Sequence, residues 1–422
     1  MVEICEDVVI VGGGIAGLAT ALALKKIGVR SLILERFHEL RTTGTGINLF
    51  PNAWRALDAL GVAHKLYPLY SSLTKAYFTD VATGETRVVP LNADQGNDKS
   101  ELEARMVHRK ALLEVLAEEL PPQAIRFSAK LASIKMETVD GSSIIVLQLE
   151  EGTIIKAKAV IGCDGLHSVI AQWLGLSPPV SSGRSAVRGL SVYPDGHGFT
   201  DGAHQFLAPG ARAGIVPLNA TEIFWFITHM GEESSRDPEL IKELVIQKKA
   251  KGFPQKYLDV VEQSVMESLT LDPLKLRLPW NLILQQAHKG NVTVAGDAMH
   301  PMTPDLGQGG CQALEDAVVL GQNIGKLRQA DGSIEWEKVG EALGDYVKQR
   351  RWRVAGVTAG SYFMGRAQMG ATGWLARFGW LTKFFRNNIL FTLVFRRLLG
   401  IVNYDCGKLP EVPASSRGSK LE

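Results

Sequence analysis

Cysteine is scarce in this chain: four occur in 422 residues, Cys5, Cys163, Cys311 and Cys406, and none forms a CxxC pair. That spacing argues against a disulfide framework or a thiolate zinc site and fits a reducing compartment. There is no run of ~18 apolar residues, so no membrane-crossing segment is expected. The first strand pattern begins at Asp7 and leaves no room for a leader peptide, which makes a cytoplasmic protein the expectation. Internal repeats and low-complexity tracts are also missing, so a solenoid or a repetitive scaffold is not expected. A formal charge of +2 exerts no global pull on nucleic acid, and no nucleic-acid partner is expected. What remains is a globular composition, 45% hydrophobic and 21% charged, in a chain long enough for more than one domain.

The most informative stretch is the first. Asp7-Val8-Val9-Ile10-Val11 reads as a strand buried on both faces of a parallel sheet. It runs straight into Gly12-Gly13-Gly14-Ile15-Ala16-Gly17 and an Ala/Leu-rich helical pattern. Gly12, Gly14 and Gly17 satisfy GxGxxG in the context its mechanics require. The first glycine permits the tight turn, the second lets backbone approach a pyrophosphate, and the third lets the helix pack closely. Ser31 to Leu34 forms the next strand and ends at Glu35, whose carboxylate suits a ribose 2′-hydroxyl and repels a 2′-phosphate. The resident nucleotide is therefore expected to be FAD or NAD, not NADP.

Two further strand-to-turn motifs choose between these. Ala159 to Gly165 ends in Cys163-Asp164-Gly165, and Val294 to Pro301 contains Gly296-Asp297. With Pro304-Asp305-Leu306-Gly307-Gln308-Gly309-Gly310, Gln312, Glu315 and Asp316, these resemble the group A flavoprotein hydroxylases. That para-hydroxybenzoate hydroxylase-like class includes salicylate hydroxylase and plant zeaxanthin epoxidase.

The resemblance implies that Asp164 lies near FAD and the passing nicotinamide nucleotide, that Asp297 holds the ribityl chain, and that Pro304 sits beside the flavin ring. It implies that Gly307, Gly309 and Gly310 offer backbone amides around ring and pyrophosphate. It also implies that Gly46, within the Gly44 to Ala53 loop, borders the flavin, that Arg109 contacts FAD, and that Leu131 lends backbone on the adenine side. Read alone, Arg109 is also compatible with a solvated charge at a helix start. The sequence departs from the family at Ala171, where an arginine usually closes the first of the two Asp motifs. His300 is expected to be a hydrogen-bonded structural residue.

The implied fold class is α/β: a Rossmann-type FAD-binding domain with an inserted, mainly antiparallel β substrate domain and C-terminal helices. Residues 1–180 and 286–350 form the FAD domain, 181–285 the insert, 351–409 basic and aromatic helices, and 410–422 a disordered tail. The implied activity is that of a monooxygenase with non-covalently held FAD, using O2 and either NADPH or NADH to hydroxylate or epoxidise a small aromatic or isoprenoid-like substrate. No second GxGxxG unit follows Gly17, so the nicotinamide nucleotide is expected to bind transiently. A reductase or oxidase without oxygen transfer, and a catalytically quiet FAD-binding regulator, are the alternatives.

The substrate is expected between insert and flavin, since ligands occupy domain interfaces. Alternation places Phe224 and Phe226 on one strand face and Trp225 on the other, without saying which face is pocket. Arg188 reads either as a bidentate carboxylate anchor or as a surface arginine. His204 and His229 qualify as bases only if they face the ring. No residue is assigned as catalytic.

From Tyr346 to Tyr404 no Asp or Glu occurs, against ten basic residues: Lys348, Arg350, Arg351, Arg353, Arg366, Arg377, Lys383, Arg386, Arg396 and Arg397. Trp352, Trp374, Phe378, Trp380, Phe384, Phe385, Phe391 and Phe395 are interleaved with them. That mixture fits helices on a peripheral membrane surface, or helices packed on the FAD domain or across a dimer.

Overall fold

The computed structural model describes residues 3–40, 46–91, 103–139, 142–199, 202–368 and 400–411. Strand β1 (Glu3–Val11) leads into helix α1 (Ile15–Lys26) and back to β2 (Ser31–Leu34). Then come β3 (Gly46–Leu49), α2 (Pro51–Ala59), α3 (Ala63–Leu66), β4 (Lys75–Asp80), β5 (Thr86–Pro90), β6 (Arg105–His108) and α4 (Arg109–Glu118). The chain continues through β7 (Ile125–Arg126), β8 (Leu131–Val139), β9 (Ser142–Leu149), β10 (Ile154–Gly162) and α5 (Val169–Trp173). A second group follows: β11 (Val180–Val192), β12 (Ala203–Ala208), β13 (Ala211–Pro217), β14 (Glu222–Met230), α6 (Pro238–Leu244), α7 (Gln255–Glu262) and β15 (Thr270–Leu276). The described chain closes with α8 (Pro279–Leu284), β16 (His288–Lys289), β17 (Val292–Val294), α9 (Gly309–Gly325) and the long α10 (Val339–Gln368).

The first sheet runs β16-β17-β10-β1-β2-β7, with β9 pairing antiparallel to β10 and β8 to β9. Its centre is parallel: β1 lies between β10 and β2, and β17 continues beyond β10. Val8, Val9 and Ile10 are fully buried, as their unbroken β-branched run requires. Helix α1 is apolar on all sides because it too is interior, packed against α9.

The second sheet runs β15-β11-β14-β13-β12-β4-β5 and is antiparallel except where β4 meets β12. Here the boundary read from sequence is corrected. Residues 75–90 belong to this sheet although they precede the 181–285 insert, because β4 covers the edge that β12 would otherwise leave open. One face of the sheet is sealed by Ile241, Tyr257, Val260 and Val261 of α6 and α7, packed on Phe206, Ile215, Trp225 and Ile227. The opposite face looks toward the first domain.

Two of the ten basic residues counted from Tyr346 onward are neutralised inside the fold. Arg350 is buried and Arg353 largely so, each paired with acids of α9 rather than with a surface partner. Those acids lie far enough back in the chain that a count of charges in the C-terminal stretch omits them. Residues 400–411 return to α9, where Gln322 Nε2 donates to the carbonyl of Cys406. Trp374, Phe378, Trp380, Phe384, Phe385, Phe391, Phe395 and the basic residues Arg377 to Arg397, expected in amphipathic helices, lie outside the described residues. So does the tail from 412 onward. Among the described residues, no helix is long and apolar enough to cross a membrane.

Candidate functional site

Because β1, β10 and β17 are parallel neighbours, the turns that follow them open on the same edge of the sheet. Gly12, Asp164 and Asp297 therefore meet although they come from distant segments. The turns are pressed together to the limit of backbone contact. Gly12 has φ +106°, and a Cβ there would stand 2.5 Å from the carbonyl oxygen of Cys163. A Cβ on Gly17 would overlap the carbonyl oxygen of Gly12, and one on Gly296 (φ +59°) would stand 2.8 Å from the Cβ of Ala16.

Gly14 is different: a Cβ there would meet nothing within 4 Å. The first turn of α1, opened by Ile15 and Ala16, has no side-chain cap and no acidic residue, so its amides face open space. Such a helix end is a ready anion cradle. The first turn of α9 is likewise uncapped and without acids, with Gly309 free of close neighbours and Gly310 held against Ile47. Glu35, at the tip of β2, accepts from Gly13 N at 2.7 Å and Phe37 N at 3.0 Å. Its carboxylate thus stiffens the glycine turn while keeping lone pairs for a ribose. Leu131 is buried at the start of β8, and Ala129 N donates to the carbonyl of Glu35 beside it.

Asp164 caps α5: its Oδ2 accepts from Val169 N at 2.7 Å and Ile170 N at 3.3 Å. Its Oδ1 is buried with no hydrogen-bond partner, and burial raises the carboxyl above its usual range. Ala171, where the family carries arginine, is buried and donates its N–H to Ser168 Oγ at 2.8 Å. The side chain of Asp297 is exposed at its turn. Burial raises its carboxyl, and His300, Arg109 and Arg188 oppose the rise through their charge. The charges of Arg109 and Arg188 thus both reach the Asp297 turn. An open helix N-terminus, an orphaned buried carboxylate oxygen and a second acid on the cleft wall fit a flavin dinucleotide, with its pyrophosphate on α1 and polyol hydroxyls for Asp297.

A buried polar network holds the second Asp turn in place. Asp316 Oδ2 accepts from Gly296 N at 2.8 Å and lies 2.6 Å from His300 Nε2, while Arg350 Nε donates to Oδ1 at 2.7 Å. Burial alone would raise the Asp316 carboxyl, but His300, Arg350 and the Gly296 amide outweigh it and hold it at about 2. Glu315 accepts from Arg353 twice at 2.6 Å, from Asn52 Nδ2 at 2.7 Å and also from Arg350. Asn52 is therefore internal and lies in the first turn of α2 rather than in a loop. Gly44 and Thr45 of that loop lie outside the described residues; Gly46, described, is wedged between Met106 and Phe224. Arg277, not singled out in the sequence, supports the same turn from behind by donating to the carbonyls of Ala298 at 2.7 Å and Met299.

The second sheet supplies the opposite wall. Trp225 is fully buried and faces α7, its Nε1 donating to Ser264 Oγ at 2.9 Å. Phe224 and Phe226 lie on the other face, toward the first domain, with ring centroids 6.0 Å apart. Phe224 approaches Gly46, and the ring of Phe226 lies over Gly214, leaving no room there for a Cβ. Register puts Arg188 directly opposite Phe226, on the same face. Pro304 is exposed at the turn 304–306, followed by Gly307 in the left-handed region (φ +63°).

Asp305, buried within that turn, takes a bidentate contact from Arg184 at 2.9 and 2.7 Å and a longer one from Arg212 at 3.4 Å. This triad fastens the second sheet to the flavin-side turn. Neither arginine was picked out in the sequence; the available signal was a lone charge in strand β13, otherwise small and apolar. His204 and His229 are corrected as candidate bases. Both fall on the Trp225 face, with His204 stacked on Tyr77 at 4.6 Å and His229 3.2 Å from Glu233, so neither faces the cleft.

Residues 6–359 match the family described as FAD binding domain. The chain is 37% identical over 414 residues to Monooxygenase 2 of Arabidopsis thaliana, covering 96% of this chain and 98% of that protein. It is 36% identical over 409 residues to Monooxygenase 1 of the same plant, covering 95% and 99%. The solved structure of Klebsiella pneumoniae HpxO complexed with FAD and uric acid has the same fold, with a TM-score of 0.79, 21% identity and 95% and 98% coverage.

Proposed function

The chain belongs to the FAD binding domain family, among FAD-dependent monooxygenases, and from that premise we propose that it inserts one atom of O2 into a small, largely apolar ring substrate held between the Phe224/Phe226 wall and the flavin. The observation that supports this reading is that the uncapped α1 N-terminus and the Asp164 turn lie beside the Asp297 turn, while Phe224 and Phe226 present the facing side of the second sheet toward Gly46 of the first domain.

Bound FAD supplies hydride acceptance from NADPH or NADH and activation of O2. The chain's own residues do the rest. The amides at the uncapped starts of α1 and α9 would hold the cofactor's phosphates and ring, Glu35 would take the adenosine ribose, and Asp297 and Arg109 would hold the ribityl side. Pro304, Gly307, Gly309 and Gly310 border the ring, and the aromatic wall excludes water. The nicotinamide nucleotide visits and departs. The free thiols fit a cytoplasmic setting.

Stopped-flow reduction of the holoprotein by NADPH and by NADH, over a panel of phenols and isoprenoids, tests the reading. A bound ring substrate is expected to accelerate reduction and suppress peroxide. Peroxide released stoichiometrically with every compound would point instead to an oxidase.

A further inference from the structure

Two segments of this chain that contain no Asp or Glu, 273–296 and 346–368, pack against each other. The carbonyl of Ile283 in α8 accepts from Arg351 Nη1 of α10 at 3.2 Å, and His288 of β16 abuts α10 at Gly344. Large apolar side chains point outward from both segments. Trp280 and Leu284, one turn apart on α8, are 56% and 76% exposed, and Trp352 on α10 is 67% exposed. Phe363, about three turns beyond Trp352, returns to the same side of α10 and is also 67% exposed. Gly356, between Trp352 and Phe363, leaves that side open, since a Cβ there would meet nothing within 4 Å.

The charge around these rings is mainly of one sign. Lys289, Lys348 and Arg366 are exposed and Arg351 is half-buried. Burial lowers the pKa of His288, and the charges of Arg351 and Lys348 lower it further, so these basic groups converge in space. Asp345, one turn before Lys348 and paired with it at 3.0 Å, offsets them only in part. Exposed aromatic side chains grouped in this way mark a surface that meets a partner. A second copy of this chain fits it poorly, because a two-fold interface would set the same basic face against itself. Tryptophan, leucine and phenylalanine interleaved with lysine and arginine match the boundary of an anionic bilayer, where rings enter below the headgroups and long basic side chains reach the phosphates. We infer that the α8–α10 face docks this protein peripherally on an anionic lipid surface, with Trp280, Leu284 and Trp352 inserted and the basic side chains around them at the headgroups.

The test uses the FAD-loaded full chain in flotation with vesicles of phosphatidylcholine alone and of equimolar phosphatidylcholine and phosphatidylserine. Binding to the anionic vesicles at low salt is expected to be at least about tenfold tighter than to the neutral ones, and to weaken as ionic strength rises. The double variant Trp280→Ser/Trp352→Ser should lose about tenfold or more of that binding, the scale of two large apolar side chains left in water. Lys348→Glu/Arg366→Glu should lose the preference for phosphatidylserine. Both variants are expected to keep the visible flavin spectrum of the parent protein, which shows that they remain folded. No binding at low salt, equal binding to neutral vesicles, or binding that survives in the tryptophan variant would overturn the inference. So would a dimer in sedimentation that dissociates in the tryptophan variant, which would assign the face to a second copy.

Discussion

Neutralising Asp305 should destabilise this protein far more than removing any surface ion pair. The Asp305 and Arg184 side chains are fully buried and that of Arg212 nearly so, and Arg184 holds the carboxylate by two hydrogen bonds. Asp305→Asn keeps the shape and removes the charge, leaving two guanidinium groups facing one another in the interior. Breaking a buried pair from one side costs about 3–5 kcal/mol, because the remaining charge is left uncompensated. Arg236 and Asp272 provide the internal comparison. They meet at 2.6 Å on the surface, where such a pair contributes about 0–1 kcal/mol. Urea unfolding at saturating FAD, followed by tryptophan fluorescence, should show a large shift for Asp305→Asn and almost none for Arg236→Ala. A double-mutant cycle with Arg184→Met should return a coupling of about 2 kcal/mol or more. Equal midpoints for Asp305→Asn and Arg236→Ala would refute the view that this triad fastens the two sheets together.

Asp297→Ala should lower FAD affinity about 10- to 100-fold, the loss expected for charged hydrogen bonds to the ribityl hydroxyls, measured by flavin fluorescence on dilution. Acid precipitation should release intact FAD into the supernatant; flavin retained on the denatured chain would mean a covalent link. The Asp316 carboxyl is held at about 2, below its usual ~3.9, so its contribution to stability is complete above about pH 4 and is lost as pH falls toward 2. By linkage that contribution is on the order of 2–3 kcal/mol, and Asp316→Asn should flatten the stability profile between pH 4 and 2. An unchanged slope in the variant would assign the acid sensitivity to other carboxylates.

The strand, glycine turn and helix start of the candidate nucleotide site were legible because their geometry is local. A buried strand, a glycine that must turn sharply and a helix start are neighbours in sequence, and the structure shows Gly12 and Gly17 at van der Waals limits. Strand alternation likewise separated Phe224 and Phe226 from Trp225, but it could not choose the pocket face. That choice depends on α6 and α7, which cover the Trp225 side from later in the chain. Arg184, Arg212 and Asp305 were hidden for the same reason, since strands distant in sequence become neighbours only through the fold. The pairing of Arg350 and Arg353 was not visible in the basic C-terminal stretch because their partners, Glu315 and Asp316, lie on another helix. The placement of β4 against β12 is a non-local parallel pairing with no sequence mark of its own.

The central claim is oxygen insertion at the cleft between the Asp297 turn and the Phe224/Phe226 wall. Turnover of the FAD-loaded enzyme with NAD(P)H under 18O2, with the ring substrate that most accelerates flavin reduction, tests it most directly by product mass. A product heavier by one 18O atom is expected. An unlabelled substrate, with all consumed 18O2 recovered as hydrogen peroxide, would contradict it.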